Sequence, residues 1–381
     1  MRILTVLTYF SPHWTGLTVI ARSLAIGLAA RGHDVTVLTG RHDDSLPLED
    51  HDEGARIVRL PAVARLSRGL ILPSFPLRAW QLIGEHDVVH IHTPLMEGPV
   101  VGAFCRLRGR PLVMTHQGDL VMPAGLGNQV VQRIGNVVMA ATGRLATEIT
   151  THNADYAENS PCLRGYPGKV AAIYPPVVIP APDPGEVARR RHELGLADAA
   201  VVGFAGRFVE EKGFDFLLRA LPELAERVPN VHLVFAGEHE MTYENFYERC
   251  RPLVEQQRER ITFVGLLRDR QELADFYSMC DVLAVPSRTD CLALVQLEAM
   301  LCGTPVVASD IVGGRTAVSA SGMGLLVQPR DPASLAGGLA TVLEDPLRYT
   351  RPREEISQVF DASRSIDAYE QLFERLLRAR R

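Results

Sequence analysis

Pro175-Pro176-Val177-Val178-Ile179-Pro180-Ala181-Pro182-Asp183-Pro184 divides the chain in two. Five prolines in ten residues cannot continue a helix or a central strand, because proline lacks an amide donor and fixes φ. The stretch reads as a stiff extended linker, assigned to residues 177–186. At 381 residues the chain exceeds one ordinary core and suits two domains.

Both flanks of the linker alternate short β-rich runs with amphipathic stretches. Before it, residues 2–7, 34–39, 88–92, 111–115, 145–150 and 170–174 read as strands. Residues 18–31 read as a helix, with Ile20, Leu24 and Leu28 on one stripe and Gly32 just past its end. Further helices are expected near 98–108, 125–141 and 152–160. After the linker, strands are expected at 200–205, 231–236, 261–264, 281–285, 305–308 and 324–327. Helices are expected at 213–227, 243–257, 269–279, 291–302 and 332–344, and residues 363–381 form a last amphipathic helix. Repeated βα alternation predicts parallel sheets with helices on both faces. The fold class is therefore α/β, a doubled Rossmann-like architecture of residues 1–176 and 187–360. Ligands in such sheets sit beyond the carboxyl ends of the strands, so two facing halves would share one interdomain cleft.

Hydrophobic residues make up 46% and charged residues 22%, as in ordinary globular proteins. A net charge of −5 gives no support for nucleic-acid binding. The six cysteines form no Cys-x-x-Cys pair and no zinc-type spacing with histidine, so no metal site is expected. They read as buried thiols in a reducing cytoplasm. The apolar run at residues 3–10 is too short for a signal-peptide core, and no stretch is apolar enough to span a membrane.

Four stretches carry chemistry. In Tyr9-Phe10-Ser11-Pro12-His13-Trp14-Thr15-Gly16-Leu17-Thr18, a glycine just before a helix lets backbone amides approach a phosphate. In Phe204-Ala205-Gly206-Arg207, followed by Lys212-Gly213, two cations share one loop after a strand. They can converge on a diphosphate and on a leaving nucleotide, or simply pair with Glu210 and Glu211. In Asp290-Cys291-Leu292-Ala293-Leu294-Val295-Gln296-Leu297-Glu298, two acids stand eight residues apart. On one continuous helix they would be about 12 Å and roughly 80° apart, suited to opposite ends of an elongated ligand. The amides of Leu292, Ala293 and Leu294 would face phosphates between them. Leu294, Leu297 and Met300 look like core, which argues against a solvated Glu298. Finally, Val113-Met114-Thr115-His116 places a histidine at the ligand-facing end of a strand, for a sugar hydroxyl or a proton, or as a structural group.

Together these pieces resemble the retaining glycosyltransferases of family 4, which have the GT-B fold. The resemblance covers essentially the whole chain. It is strongest from Gly206-Arg207 and Lys212-Gly213 through Pro286-Ser287 and the two acids to Gly303-Thr304-Pro305-Val306-Val307. In the first half, Arg31-Gly32-His33-Asp34-Val35 resembles the family's helix-to-strand turn. The resemblance implies a nucleotide-diphosphate-sugar donor as substrate, with no cofactor and no metal. It implies that Arg207 and Lys212 bind the diphosphate, Glu298 the ribose and Asp290 the transferred sugar. Gly16 would pack on the phosphates, His116 would lie near the reacting sugar, and the Gly265-Leu266-Leu267 stretch would border the base. The tail, residues 361–381, would cross back onto the first domain. The chain departs from the family pattern at Asp290, usually Glu, at Ala293 and Leu17, usually Gly, and at Arg315-Thr316-Ala317, where a Glu is usual.

A nucleotide-sugar epimerase and a non-catalytic nucleotide-sugar-binding homologue are the alternatives on the same architecture. The acceptor is unassigned. The stretch from Arg56 to Trp80 mixes Arg59, Arg65, Arg68 and Arg78 with Leu70, Ile71, Leu72 and Phe75. It suits weak peripheral contact with anionic lipid at the inner membrane surface, or an ordinary region of solvated arginines.

Overall fold

The computed structural model describes residues 1–66, 69–121, 126–239 and 244–379. They form two compact units, Met1–Pro176 with Ala362–Arg381, and Val177–Asp361.

The first unit contains β1 (Arg2–Val6), β2 (Asp34–Arg41), β3 (Glu49–Asp52), β4 (Ala55–Pro61), β5 (Ala64–Leu66), β6 (Gly69–Ile71), β7 (Val88–Thr93), β8 (Leu112–His116), β9 (Glu148–Thr151) and β10 (Val170–Ala172). Eight of these form one sheet in the order β10-β9-β8-β7-β1-β2-β4-β3. Its pairings are parallel except at the β3 edge, which runs antiparallel to β4. Strand order reverses between β1 and β7, so the loops leaving these two strands open at the switch point where such sheets bind ligands.

The second unit contains β11 (Ala200–Ala205), β12 (Val231–Ala236), β13 (Ile261–Gly265), β14 (Val282–Val285), β15 (Val306–Ser309) and β16 (Gly324–Val327). They run parallel in the order β13-β12-β11-β14-β15-β16, with the reversal between β11 and β14. Buried Phe204, Phe208, Phe214 and Phe235 fill the core under this sheet. No described helix is long and apolar enough to cross a membrane.

Three features differ from the sequence reading. First, the proline-rich stretch ends earlier than residue 186: a helix, Pro184–Glu193, starts on an Asp183 cap whose side chain accepts from the amides of Gly185 and Glu186. Proline is tolerated there because the first helical amides have no partner within the helix. The residues before it are tied to the second unit: Arg270 donates to the carbonyl of Val178, Arg353 to that of Ile179, and Gln271 to that of Ala181. Second, β4, the β5–β6 pair and the start of a helix at Phe75–Glu85 occupy the arginine-rich stretch. Arg59 is buried within it and donates to Asp50 and to the carbonyls of Pro47 and Ser11. Arg65 donates to the carbonyl of His42 and Arg78 pairs with Glu49, while Arg68 lies outside the described residues. Leu70, Leu72 and Phe75 are buried. Third, the helix expected from 243 begins at Phe246, and residue 243 lies outside the described residues.

The last helix, Ala362–Arg378, belongs to the first unit. Tyr369, Leu372, Phe373 and Leu376 enter the core formed by Ile3, Leu24, Leu28, Val35 and Val113. Arg31 and His33 both bond Glu370 on this helix. The Tyr369 hydroxyl meets those of Thr115 and Thr150, and Thr115 meets His90.

Beside this contact lie three buried histidines whose partners are neutral. His90 bonds the Thr115 hydroxyl, while His92 and His152 share the Gln117 amide. The His90 and His92 ring centroids are 4.3 Å apart. Burial lowers His90 to about 3 and His152 to about 4, and also pushes His92 well below its ordinary value of 6.5. They are therefore neutral when folded but gain protons when unfolded, once pH falls below 6.5. Stability is full above that value and is lost as pH drops toward about 4. Each histidine contributes a slope of about 1.4 kcal/mol per pH unit in that window. Urea unfolding across it should show the midpoint falling with pH, with a flatter dependence in His152→Gln.

Candidate donor site in the second unit

The loops leaving β11 and β14 meet at the switch point of the second sheet. After β11 come Gly206, Arg207 and a 3-10 turn at Glu210–Lys212, then Gly213 and a helix at Phe214–Arg227. After β14 come Pro286, buried Ser287, Arg288 and Asp290, then a helix at Leu294–Leu301. The two loops are stitched together. The Arg288 guanidinium bonds both Asp215 oxygens at 2.7 and 2.8 Å and the Glu210 carbonyl at 2.8 Å. It also lies 4.1 Å from the centre of the Phe216 ring. Gly213 has φ 68°, and a Cβ there would stand 2.0 Å from the Pro286 carbonyl oxygen. Only glycine allows both that conformation and that approach.

This frame places Lys212 against Asp290, with Nζ 2.5 Å from Oδ2. Burial opposes the charge on Lys212, but attraction from Asp290 and Glu211 outweighs it and raises the pKa. The ammonium is therefore firmly charged at neutral pH. Arg207 pairs with Glu211 at 3.0 Å. Of the two acids expected to neutralise these cations, Glu211 thus takes Arg207, while Glu210 pairs instead with Arg249.

The two acids are not on one continuous helix. Ala293 is extended at φ −72°, ψ 112°, and the helix starts at Leu294, so Asp290 sits in the preceding loop, bridged to Gly313. The helix-based separation does not apply. Leu292 and Ala293 are buried, Leu294 is half-buried, and all three lie at the helix start.

Glu298 is 4% exposed. Oε1 accepts from Arg270 at 2.8 Å and Oε2 from the Tyr277 hydroxyl at 2.7 Å. Burial, then the neighbouring carboxylate, pushes the Tyr277 phenol well above its ordinary range, so it stays a donor. Gly265 ends β13, and half-buried Leu267 follows exposed Leu266. Arg288, Asp215, Arg270 and Tyr277 escaped the sequence reading. Each acts through a partner far away in the chain, and no local pattern marks such a pair.

The first unit carries the remaining two candidates. Gly16 is the exposed first residue of the helix Gly16–Ala30, whose Thr15 cap accepts from the Thr18 amide. Thr18 in turn accepts from the Thr15 amide at 2.9 Å. His116 ends β8, is fully buried, and its Nε2 bonds Asp119 at 3.1 Å.

Comparison with known proteins places this geometry in context. Residues 15–176 match the glycosyl transferase 4-like domain, and residues 199–345 match the glycosyl transferases group 1 domain. D-inositol 3-phosphate glycosyltransferase 1 of Catenulispora acidiphila is 31% identical over 365 residues, covering 89% of this chain and 84% of that protein. The chain belongs to the family 4 glycosyltransferases. A GDP-mannose-dependent alpha-(1-6)-phosphatidylinositol monomannoside mannosyltransferase of Mycolicibacterium smegmatis is 29% identical, covering 85% of this chain and 84% of that protein. HepE of Anabaena, solved in complex with UDP-glucose, aligns with TM-score 0.79 and 21% identity over 98% of this chain and 99% of that one. Sucrose-phosphate synthase of Thermosynechococcus elongatus aligns with TM-score 0.76 and 24% identity over 99% of each chain. The fold is GT-B, and the resemblance read from the motifs is borne out for family, fold and enzyme class. This family member is a glycosyltransferase.

Two substitutions test the frame. Tyr277→Phe removes a donor from a buried carboxylate and should cost about 1–3 kcal/mol, read as a lower urea midpoint. Gly213→Ala should cost more than the ~1–3 kcal/mol of backbone strain alone, because its Cβ would stand 2.0 Å from the Pro286 carbonyl oxygen, and should lower transfer activity in the folded fraction.

Proposed function

We propose that this glycosyltransferase draws its sugar from a nucleotide-diphosphate donor and transfers it with retention at the anomeric carbon. The observation that carries the reading is the convergence of Arg207 and Lys212 at the β11–β14 switch point. Both cations are balanced by carboxylates, Glu211 and Asp290. A diphosphate is a natural replacement counter-charge, because each cation then gains a charge-assisted bond to a phosphate oxygen. Gly206 has φ 145°, with nothing within 4 Å of where a Cβ would stand, so that side of its backbone is uncovered, while its amide donates to the Ala236 carbonyl. The helix starting at Leu294 adds its N-terminal dipole on the same side. Two proteins similar to this one, the GDP-mannose-dependent enzyme and HepE with UDP-glucose, use or bind donors of this class.

In this reading Glu298 takes the ribose hydroxyls with the lone pairs left free by Arg270 and Tyr277. Asp290, held by Lys212, contacts the transferred sugar, and Gly265 and Leu267 border the base. The family resemblance assigns Gly16 to the phosphates and His116 to the reacting sugar. Asp290, Glu298 and Glu211 each hold a cation, which favours a front-face route through an oxocarbenium-like state over attack by a carboxylate. The leaving phosphate, neutralised by Arg207 and Lys212, accepts the acceptor's proton. The donor is a substrate, and no cofactor takes part. The six free cysteines suit a reducing cytoplasm.

Incubating the purified protein with a panel of nucleotide sugars, and following nucleotide diphosphate release with an acceptor extract, tests the reading. Lys212→Ala should lower turnover about 10²–10³-fold, by analogy with a lost oxyanion donor, with the circular dichroism spectrum unchanged. Near-normal turnover in the folded variant rejects the assignment.

A further inference from the structure

The cysteines show no zinc-type spacing in the sequence, yet the fold gathers a mixed ligand set in the first unit. His116 at the end of β8, Asp119 in the loop after it, and Cys162 at the edge of a 3-10 turn each offer one ligand atom. These atoms all lie within 4.8 Å of one another. It is the one such group among the described residues.

The surroundings hold this set in place. His116 Nε2 lies 3.1 Å from Asp119 Oδ1, and Ser160 Oγ lies 2.9 Å from each Asp119 oxygen. The Asp119 amide donates to the Tyr156 hydroxyl at 2.7 Å, and the Tyr156 ring stacks on His116 with centroids 6.2 Å apart. The His116 side chain is fully buried, and its Nδ1 has no hydrogen-bond partner. The ring is therefore fixed by packing, with its bonded nitrogen turned toward Asp119.

We propose that His116 Nε2, an Asp119 carboxylate oxygen and Cys162 Sγ form a binding site for a zinc ion. Nitrogen, carboxylate oxygen and sulfur together suit a borderline cation and not magnesium or calcium, which take oxygen alone. Around a tetrahedral zinc with bonds of about 2.0–2.3 Å, ligand atoms stand roughly 3.5 Å apart. The His116–Asp119 separation already fits, and rotation of the Cys162 side chain closes the remainder. The Cys162 thiol releases its proton to solvent and binds as thiolate. Ser160 stays on the second carboxylate oxygen, as the outer partner that orients a ligating carboxylate. Three protein ligands leave the fourth position to water. Because the ion occupies His116 Nε2, zinc should also inhibit sugar transfer. That consequence rests on the donor reading above; the binding itself does not.

The full chain, stripped with chelator under reducing conditions, is titrated with zinc against a chromophoric chelator and separately with cobalt. The expected result is one equivalent bound, with a thiolate-to-cobalt charge-transfer band, unaffected by excess magnesium. Cys162→Ser and Asp119→Asn should each weaken zinc about 10–100-fold, the scale of lost metal-site partners, and Cys162→Ser should abolish the band. As a measurement on the unaltered chain, alkylation of half-buried Cys162 should slow when zinc is added; the other five cysteines are buried. No stoichiometric binding, a missing band, or affinity unchanged in folded Cys162→Ser overturns the proposal. Binding without inhibition leaves the site standing and counts against His116 lying by the sugar.

Discussion

Two strands that lie side by side in the second sheet, β11 and β14, are separated in the chain by two further strands and the helices between them. Their exit loops must nevertheless touch, because Arg288 bridges from one to Asp215 and Glu210 on the other. That contact brings a bare glycine against the Pro286 carbonyl and swings the turn that carries Lys212 onto Asp290. Remove the bridge, and the lysine sits on a turn with no fixed partner. The positive charge at the sheet's open edge is thus a product of strand order as much as of the lysine itself.

Charge balance at this edge follows the same logic. Each cation there has an acid within bonding distance, so this edge is close to neutral. Negative charge arriving at this edge would compete with carboxylates already in place rather than meet an uncompensated cluster. Burying an ion pair is costly unless its remaining hydrogen-bonding capacity is used. Glu298 meets that requirement with a guanidinium on one oxygen and a phenol on the other.

Much of this was legible in the sequence, because periodicity speaks for elements that bury a regular face. The strands of the second unit appear where the β-rich runs stood, and Glu298 lies inside the core that Leu294, Leu297 and Met300 implied. The arginine-rich stretch was harder. Its charges hid β4, whose Arg59 turns inward to Asp50 and two carbonyls. The start of the Leu294 helix was invisible because nothing in Cys291-Leu292-Ala293 breaks a helix, yet the backbone there is extended. Pairings such as Lys212 with Asp290, 78 positions apart, or Cys162 with His116, depend on which strands become neighbours. No local pattern encodes that.

The first unit is assembled from two separate stretches, Met1–Pro176 and Ala362–Arg381. Tyr369 and Phe373, near the end of the described chain, sit in the same core as Ile3 and Leu7. The second unit is drawn from one continuous stretch, Val177–Asp361. During synthesis the second unit can therefore close while the first still exposes a groove along Leu24, Leu28 and Val35. Only when the helix Ala362–Arg378 leaves the ribosome is that groove filled. The unit whose strands are made first is thus completed after the second, and until then part of its core stays open to solvent.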